Sequence, residues 1–147
     1  MTHQDIAGNL LAIYCGLQGA ATIAFDLNRT HAAHPQWLGH ARFHVVWQTA
    51  TVAALSVFEI ALLRMGGPMP APRFYLAAIL AAMPVFGFFA ALVTRGLYGG
   101  TLSDPNGIPP WILRRGNATV RIDLNLVAEL AGAATLAILV ALYRFSP

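Results

Sequence analysis

Four stretches of this chain, at about residues 6–25, 43–63, 74–94 and 122–143, are almost uninterruptedly apolar. Each is close to the ~20 residues an α-helix needs to cross the hydrocarbon core of a bilayer. In lipid every backbone N–H and C=O must be satisfied within the structure, and runs this long and continuous suit helices, not barrel strands. The expected fold is therefore all-α: an integral membrane four-helix up-down bundle forming a single transmembrane domain over residues 1–147. Composition agrees, with 57% hydrophobic and only 10% charged residues and a mean hydropathy of +0.60. A soluble domain carries roughly 25% charged residues.

The connections are marked by turn chemistry. Gly66-Gly67-Pro68-Met69-Pro70-Ala71-Pro72 separates the second and third segments. Residues 27–42 and 96–120 read as ordered loops, the latter as a loop or re-entrant excursion because Gly99 to Pro110 is too rich in Gly and Pro to continue a helix. Asp5 and Asn9 suit the start of the first helix, and Pro84 with Gly87 predicts a kink in the third. The first segment lacks a basic flank and a clear small-residue cleavage site, so it is expected to remain as a helix.

The formal charge of +3 comes from nine arginines against six acidic residues, with no lysine. That excess is small and lies at segment ends, which excludes a nucleic-acid partner and points to membrane lipids. The lone Cys15 sits inside the first segment, where it is expected to pack as a small hydrophobe. An up-down topology places the first and third connections on one side. Asp26, His31, His34, His40, Arg42, His44, Asp104, Arg114, Arg115, Arg121 and Asp123 fall there, against His3, Asp5, Glu59, Arg64, Arg73 and Arg144 opposite. Arginine counting (29, 42, 95, 114, 115 and 121 against 64, 73 and 144) makes that side cytoplasmic by the positive-inside rule.

The chemistry concentrates at the same end. His31, His34, His40 and His44 are four of the five histidines. Polar side chains recur at helical spacing in three segments: Tyr14, Gln18, Thr22 and Asp26; His40, His44, Gln48 and Thr51; Asn125 and Glu129, with Asp123 at the mouth. Polar groups facing lipid are expensive, so these stripes are expected to face one another around a polar pocket between helices one, two and four. Within it His40, His44, Glu129 and Asp123 are the candidate catalytic groups. Arg42, Gln48, Asn125, Arg121, Trp37 and Gln18 are the candidate substrate contacts. A metal set would draw on His34, His40, His44, Glu129 and Asp26, nitrogen and oxygen donors that suit zinc or iron. No haem is expected, since helices three and four carry no histidine to clamp one. Metal binding, metal-free acid–base or substrate chemistry, and structural hydrogen bonding at the interface all remain open for the cluster. Arg42 reads as an arginine reaching lipid phosphate, as a clamp for an anionic head or as a partner for a carboxylate, and Trp37 either as an interfacial anchor or as a pocket wall.

At His34-Pro35-Gln36-Trp37-Leu38-Gly39-His40-Ala41-Arg42-Phe43-His44 the sequence resembles a domain-of-unknown-function family of small four-helix membrane proteins with an H-P-x-W-x-x-H-A-R-F-H signature. That resemblance implies the four-span layout and no activity. At fold level the chain also looks like the emopamil-binding and sigma-2-receptor group, which implies a lipophilic ligand and intramembrane His and Glu chemistry. Three functions are thus in play: an enzyme or enzyme-like binder for a lipophilic substrate entering from the bilayer, an accessory subunit of a larger membrane complex or homo-oligomer, and a small transporter or channel component, against which the apolar third segment argues.

Overall fold

The computed structural model describes residues 2–103, 108–116 and 118–145. Four helices dominate: α1 (His3–Asp26), α2 (Gly39–Arg64), α3 (Pro70–Thr94) and α4 (Leu124–Phe145). All four are long and apolar enough to cross a membrane. Their starts follow local chemistry. Thr2 and Asp5 form a reciprocal capping box on α1, the Thr2 hydroxyl accepting from Asp5 N–H at 3.1 Å and Asp5 accepting from Thr2 N–H at 2.7 Å. Pro70 opens α3, where its missing N–H costs nothing. Asp123 caps α4, accepting the Leu126 N–H at 3.0 Å. The α3 helix runs unbroken through Pro84.

One element corrects the all-α expectation. Within the stretch read as a loop, β1 (Trp111–Arg115) pairs antiparallel with β2 (Ala118–Ile122), in the register Trp111↔Ile122 to Arg115↔Ala118. β-Branched residues at Ile112, Thr119, Val120 and Ile122 make up much of the two strands, and Gly116 at the end of β1 takes a positive φ of +59°, which glycine adopts without strain. A short 3-10 turn, Arg95–Leu97, precedes the hairpin.

Packing is densest between α1 and α2. Asn9 meets Arg64, Gly19 meets Ser56, and Asp26 meets Thr49, so the two helices run antiparallel along their whole length. α3 and α4 are likewise antiparallel, with Phe74 stacked on Tyr143 at 3.8 Å and Val85 against Gly132. α2 also packs on α3, and α4 closes back on α1. The core is a thin column of Leu11, Cys15, Phe74, Ala77, Ala81, Leu136 and Leu139. Small residues set its dimensions. A β-carbon on Gly19 would stand 2.8 Å from Ser56 Oγ and 2.9 Å from Ser56 Cβ. Close backbone approach through small residues is how apolar helices gain contact where surrounding lipid is as apolar as they are.

Gly19→Ala should therefore lower the detergent-solubilised protein's thermal midpoint, by an overpacking cost of about 1–3 kcal/mol. Gly8→Ala, where nothing lies within 4 Å of the added carbon, should leave the midpoint unchanged or raise it, having only helix propensity to gain.

Candidate functional site

The segment from Asp26 to Gln48 carries most of the candidate residues, and its first half is a tightly hydrogen-bonded connection. The Asp26 carbonyl accepts from Ala32 N–H, and the Asn28 side chain accepts from both the N–H and the hydroxyl of Thr30. His34 is buried; its Nδ1 accepts the Gln36 N–H at 3.2 Å, and its ring packs against Trp37, which also meets His31 edge-on. Arg42 holds this turn from above. Its guanidinium donates to the carbonyls of Trp37 (3.0 Å), His34 (2.7 Å) and Pro35 (3.3 Å). These three carbonyls are the partners Arg42 finds within the protein. The side chain is spent on the loop that precedes its own helix.

His40 and His44 do come together. Successive turns of α2 bring their Nε2 atoms to 3.1 Å, and Trp47 stacks on His44 with centroids 5.8 Å apart. The pair is exposed, however, as are Gln48 and Thr51 below it. The buried face of α2 is instead Thr49, Val52, Ser56 and Glu59. The two stripes are centred about 105° apart around the helix at ~100° per residue. The expectation that the His40–Thr51 stripe faces inward is corrected accordingly: α2 turns its smaller residues to α1 because only they permit the close approach at Gly19.

The other candidates are engaged separately. Gln18, Thr22 and Asp26 are half-buried, as an inward stripe requires. Gln18 donates to the Ala81 carbonyl of α3 at 3.1 Å, beside the Leu80 carbonyl that Pro84 cannot serve. Asp26 accepts from the Thr49 hydroxyl at 3.4 Å. Asp123 is the α4 cap. Glu129 is half-buried within electrostatic reach of the Tyr14 phenol. Asn125 and Arg121 are exposed, Arg121 on β2. Asp104 lies outside the described residues. Among the described residues no three His, Cys, Asp or Glu side chains converge as a metal-binding group. The structure gathers two of the five suggested metal ligands, His40 and His44, and not the full set.

One residue escaped sequence reasoning. Glu59 was placed with the polar groups of the opposite end, yet it is 1% exposed, beside Cys15, and its Oε2 has no hydrogen-bond partner. A buried orphan oxygen of this kind is uncommon in native proteins and marks either strain or function. The signal was available in the three-four-three spacing of Thr49, Val52, Ser56 and Glu59, a better helix-packing seam than the histidine stripe.

Among the described residues two open cavities stand out, and neither is lined by the candidate residues. One of about 160 Å³ lies at the end of α3, between Phe88, Arg95, Tyr98 and Leu102. The other, about 590 Å³, is an apolar groove between Tyr75 of α3 and Ala137, Val140 and Arg144 of α4. No family model, no curated protein and no solved structure matches the chain.

Arg42→Ala should speed amide hydrogen exchange selectively across residues 31–38, with an opening cost lowered by about 1.5–3 kcal/mol for the loss of charge-assisted bonds. Arg42→Lys should restore little, since an ammonium cannot span three carbonyls as the planar fork does. Unchanged exchange in Arg42→Ala would remove the loop-holding role.

Proposed function

We propose that this chain is a multi-pass integral membrane protein, its helices crossing in up-down order, and that it works as a small subunit or assembly partner docked through the outer face of α2. The bilayer part of this reading is supported by large apolar side chains exposed on every helix. Leu10 and Leu17 of α1, Phe58 of α2, Ile79 and Phe86 of α3, and Leu130 and Ile138 of α4 all point outward. A water-soluble protein rarely exposes so continuous an apolar surface. The arginines of the first connection and the hairpin favour a cytoplasmic position for that end.

The docking part rests on one observation, the exposure of His40, His44 and Gln48 in a stripe on a helix long and apolar enough to cross a membrane. The 26 residues of α2 extend about 39 Å at ~1.5 Å per residue, against roughly 30 Å of hydrocarbon. Gln48, towards the end of the third turn, therefore lies well inside the bilayer, where an uncovered amide costs several kcal/mol. A partner helix offering polar groups removes that cost. Catalysis on a lipophilic substrate is less favoured, because Asp123 caps α4 and Glu129 is not brought to the histidine pair as a third ligand or acid–base partner among the described residues.

Photo-crosslinking residues introduced at Gln48 and at Val57 of the same helix test the docking face in native membranes. A discrete protein adduct from position 48 and only lipid adducts from position 57 are expected. An adduct of twice the chain mass would make the partner a second copy. Lipid adducts alone from position 48 would overturn the proposal.

A second reading is favoured by the 3.1 Å separation of the two Nε2 atoms. Two imidazole nitrogens ~2.05 Å from one zinc ion lie about 2.9–3.4 Å apart at ligand angles between right and tetrahedral. A zinc or iron ion held by His40 and His44, its remaining positions filled by water or by the partner, fits that spacing. Elemental analysis of tag-free protein purified without chelator should then find near-stoichiometric metal, lost in the His40→Ala/His44→Ala variant. A metal-free wild type would leave the pair as an N–H···N hydrogen bond.

A further inference from the structure

We propose that the β1–β2 hairpin is a binding surface for anionic phospholipid, lying in the headgroup layer where α4 enters the bilayer. The inference rests on the membrane reading above and adds to it a ligand and a site.

Directly opposed residues of an antiparallel pair share a face, and faces alternate along each strand. The register therefore puts Trp111, Leu113, Val120 and Ile122 on one face, which ends at the tip in the pair Arg115 and Ala118, and Ile112, Arg114, Thr119 and Arg121 on the other. The hairpin is amphipathic, and its apolar face is open: Trp111 is 61%, Leu113 55% and Val120 54% exposed. Among the described residues no helix packs extensively against it. An isolated two-stranded hairpin is at best marginally stable in water, so a face of this kind needs a cover.

Position and charge say what covers it. Ile122 is followed at once by Asp123, the cap of α4, so the hairpin cannot leave the level at which that helix enters lipid by more than its own length, about 17 Å at ~3.3 Å per residue. Between residues 111 and 122 there are three arginines and no acidic residue. With Trp111, Leu113, Val120 and Ile122 at the acyl boundary, Arg114 and Arg121 on the upper face stand among the headgroup phosphates. Indole at the interface and guanidinium among phosphates are the preferred places of both groups. A protein partner matched to the same surface would need acidic groups above and an apolar wedge below, whereas an anionic leaflet supplies both.

The test uses the full chain in phosphatidylcholine/phosphatidylglycerol vesicles, with Trp37→Phe and Trp47→Phe leaving Trp111 as the reporter. Brominated phosphatidylglycerol should quench its emission more than brominated phosphatidylcholine does. Arg114→Gln/Arg121→Gln should reduce the lipid preference, by roughly fivefold in relative binding constant per arginine. Inorganic phosphate should not compete, since the apolar face is part of the site. Equal quenching by both lipids with no effect of the arginine changes would overturn the proposal. So would iodide-accessible emission with no lipid quenching, or protection from both quenchers that grows with protein density, which would mark a second copy as the cover. Failure of the protein to float with the vesicles would instead sink the membrane reading, and so separates the two.

Discussion

The seam between α1 and α2 governs the rest of the molecule. Its residues are small or polar (Ala12, Cys15 and Gly19 facing Thr49, Ser56 and Glu59), and their size sets the distance between the two helices. Once Gly19 is seated on Ser56, the rotation of α2 is determined, and with it which of its residues look outward. The histidine stripe is displaced to the surface by this packing and not by any property of imidazole. The same seam buries Glu59 with one oxygen unpaired. A carboxyl group is retained in the densest contact of the fold, where an apolar residue of similar volume would be less costly.

The connections are governed by a second, repeated device. Arg42 and Arg73 are each the fourth residue of their helix, and each reaches back to three carbonyls of the segment before it: Trp37, His34 and Pro35 in one case, Gly66, Gly67 and Pro68 in the other. A cation in the first turn of a helix opposes the helix dipole, so neither arginine is placed there for the helix. Both are placed to satisfy carbonyls in turns that have too few N–H donors of their own, Pro35 and Pro68 having removed some. Arg64 behaves similarly towards the Asn9 amide at 2.7 Å. These arginines find oxygen partners within the protein, which separates them from Arg114 and Arg121 on the exposed hairpin.

Much of this was legible in the chain. Helix number, order and approximate limits followed from apolar run length, because the cost of leaving backbone groups unpaired in lipid admits few alternatives. The start of α1 was marked by Asp5, though Thr2 as its reciprocal cap was not read from the sequence, and the inward stripe of α1 followed from the four-residue spacing of Tyr14, Gln18, Thr22 and Asp26. The hairpin was missed although Gly116-Asn117 between β-branched residues signals one; the Gly- and Pro-rich stretch before it drew the reading towards irregular loop. His40 and His44 were paired correctly by spacing. Spacing alone could not place the pair on the helix circumference relative to a neighbour.

By itself the sequence determined the composition-driven properties: four apolar helices, polar chemistry gathered between Asp26 and Gln48, and a basic end. These depend on local run length and periodicity, which the chain carries without reference to its neighbours. Only the tertiary structure decided that Glu59 is buried while His40, His44 and Gln48 are exposed, that Arg42 serves a loop, and that Asp123 is a cap. The Arg42 and Asp123 contacts are local closures of a turn and a helix end, whereas the burial of Glu59 against the exposure of the histidines depends on the rotation of one helix against another. That rotation is set by steric fit at a few small residues, a pairwise property that periodicity within a single helix does not encode.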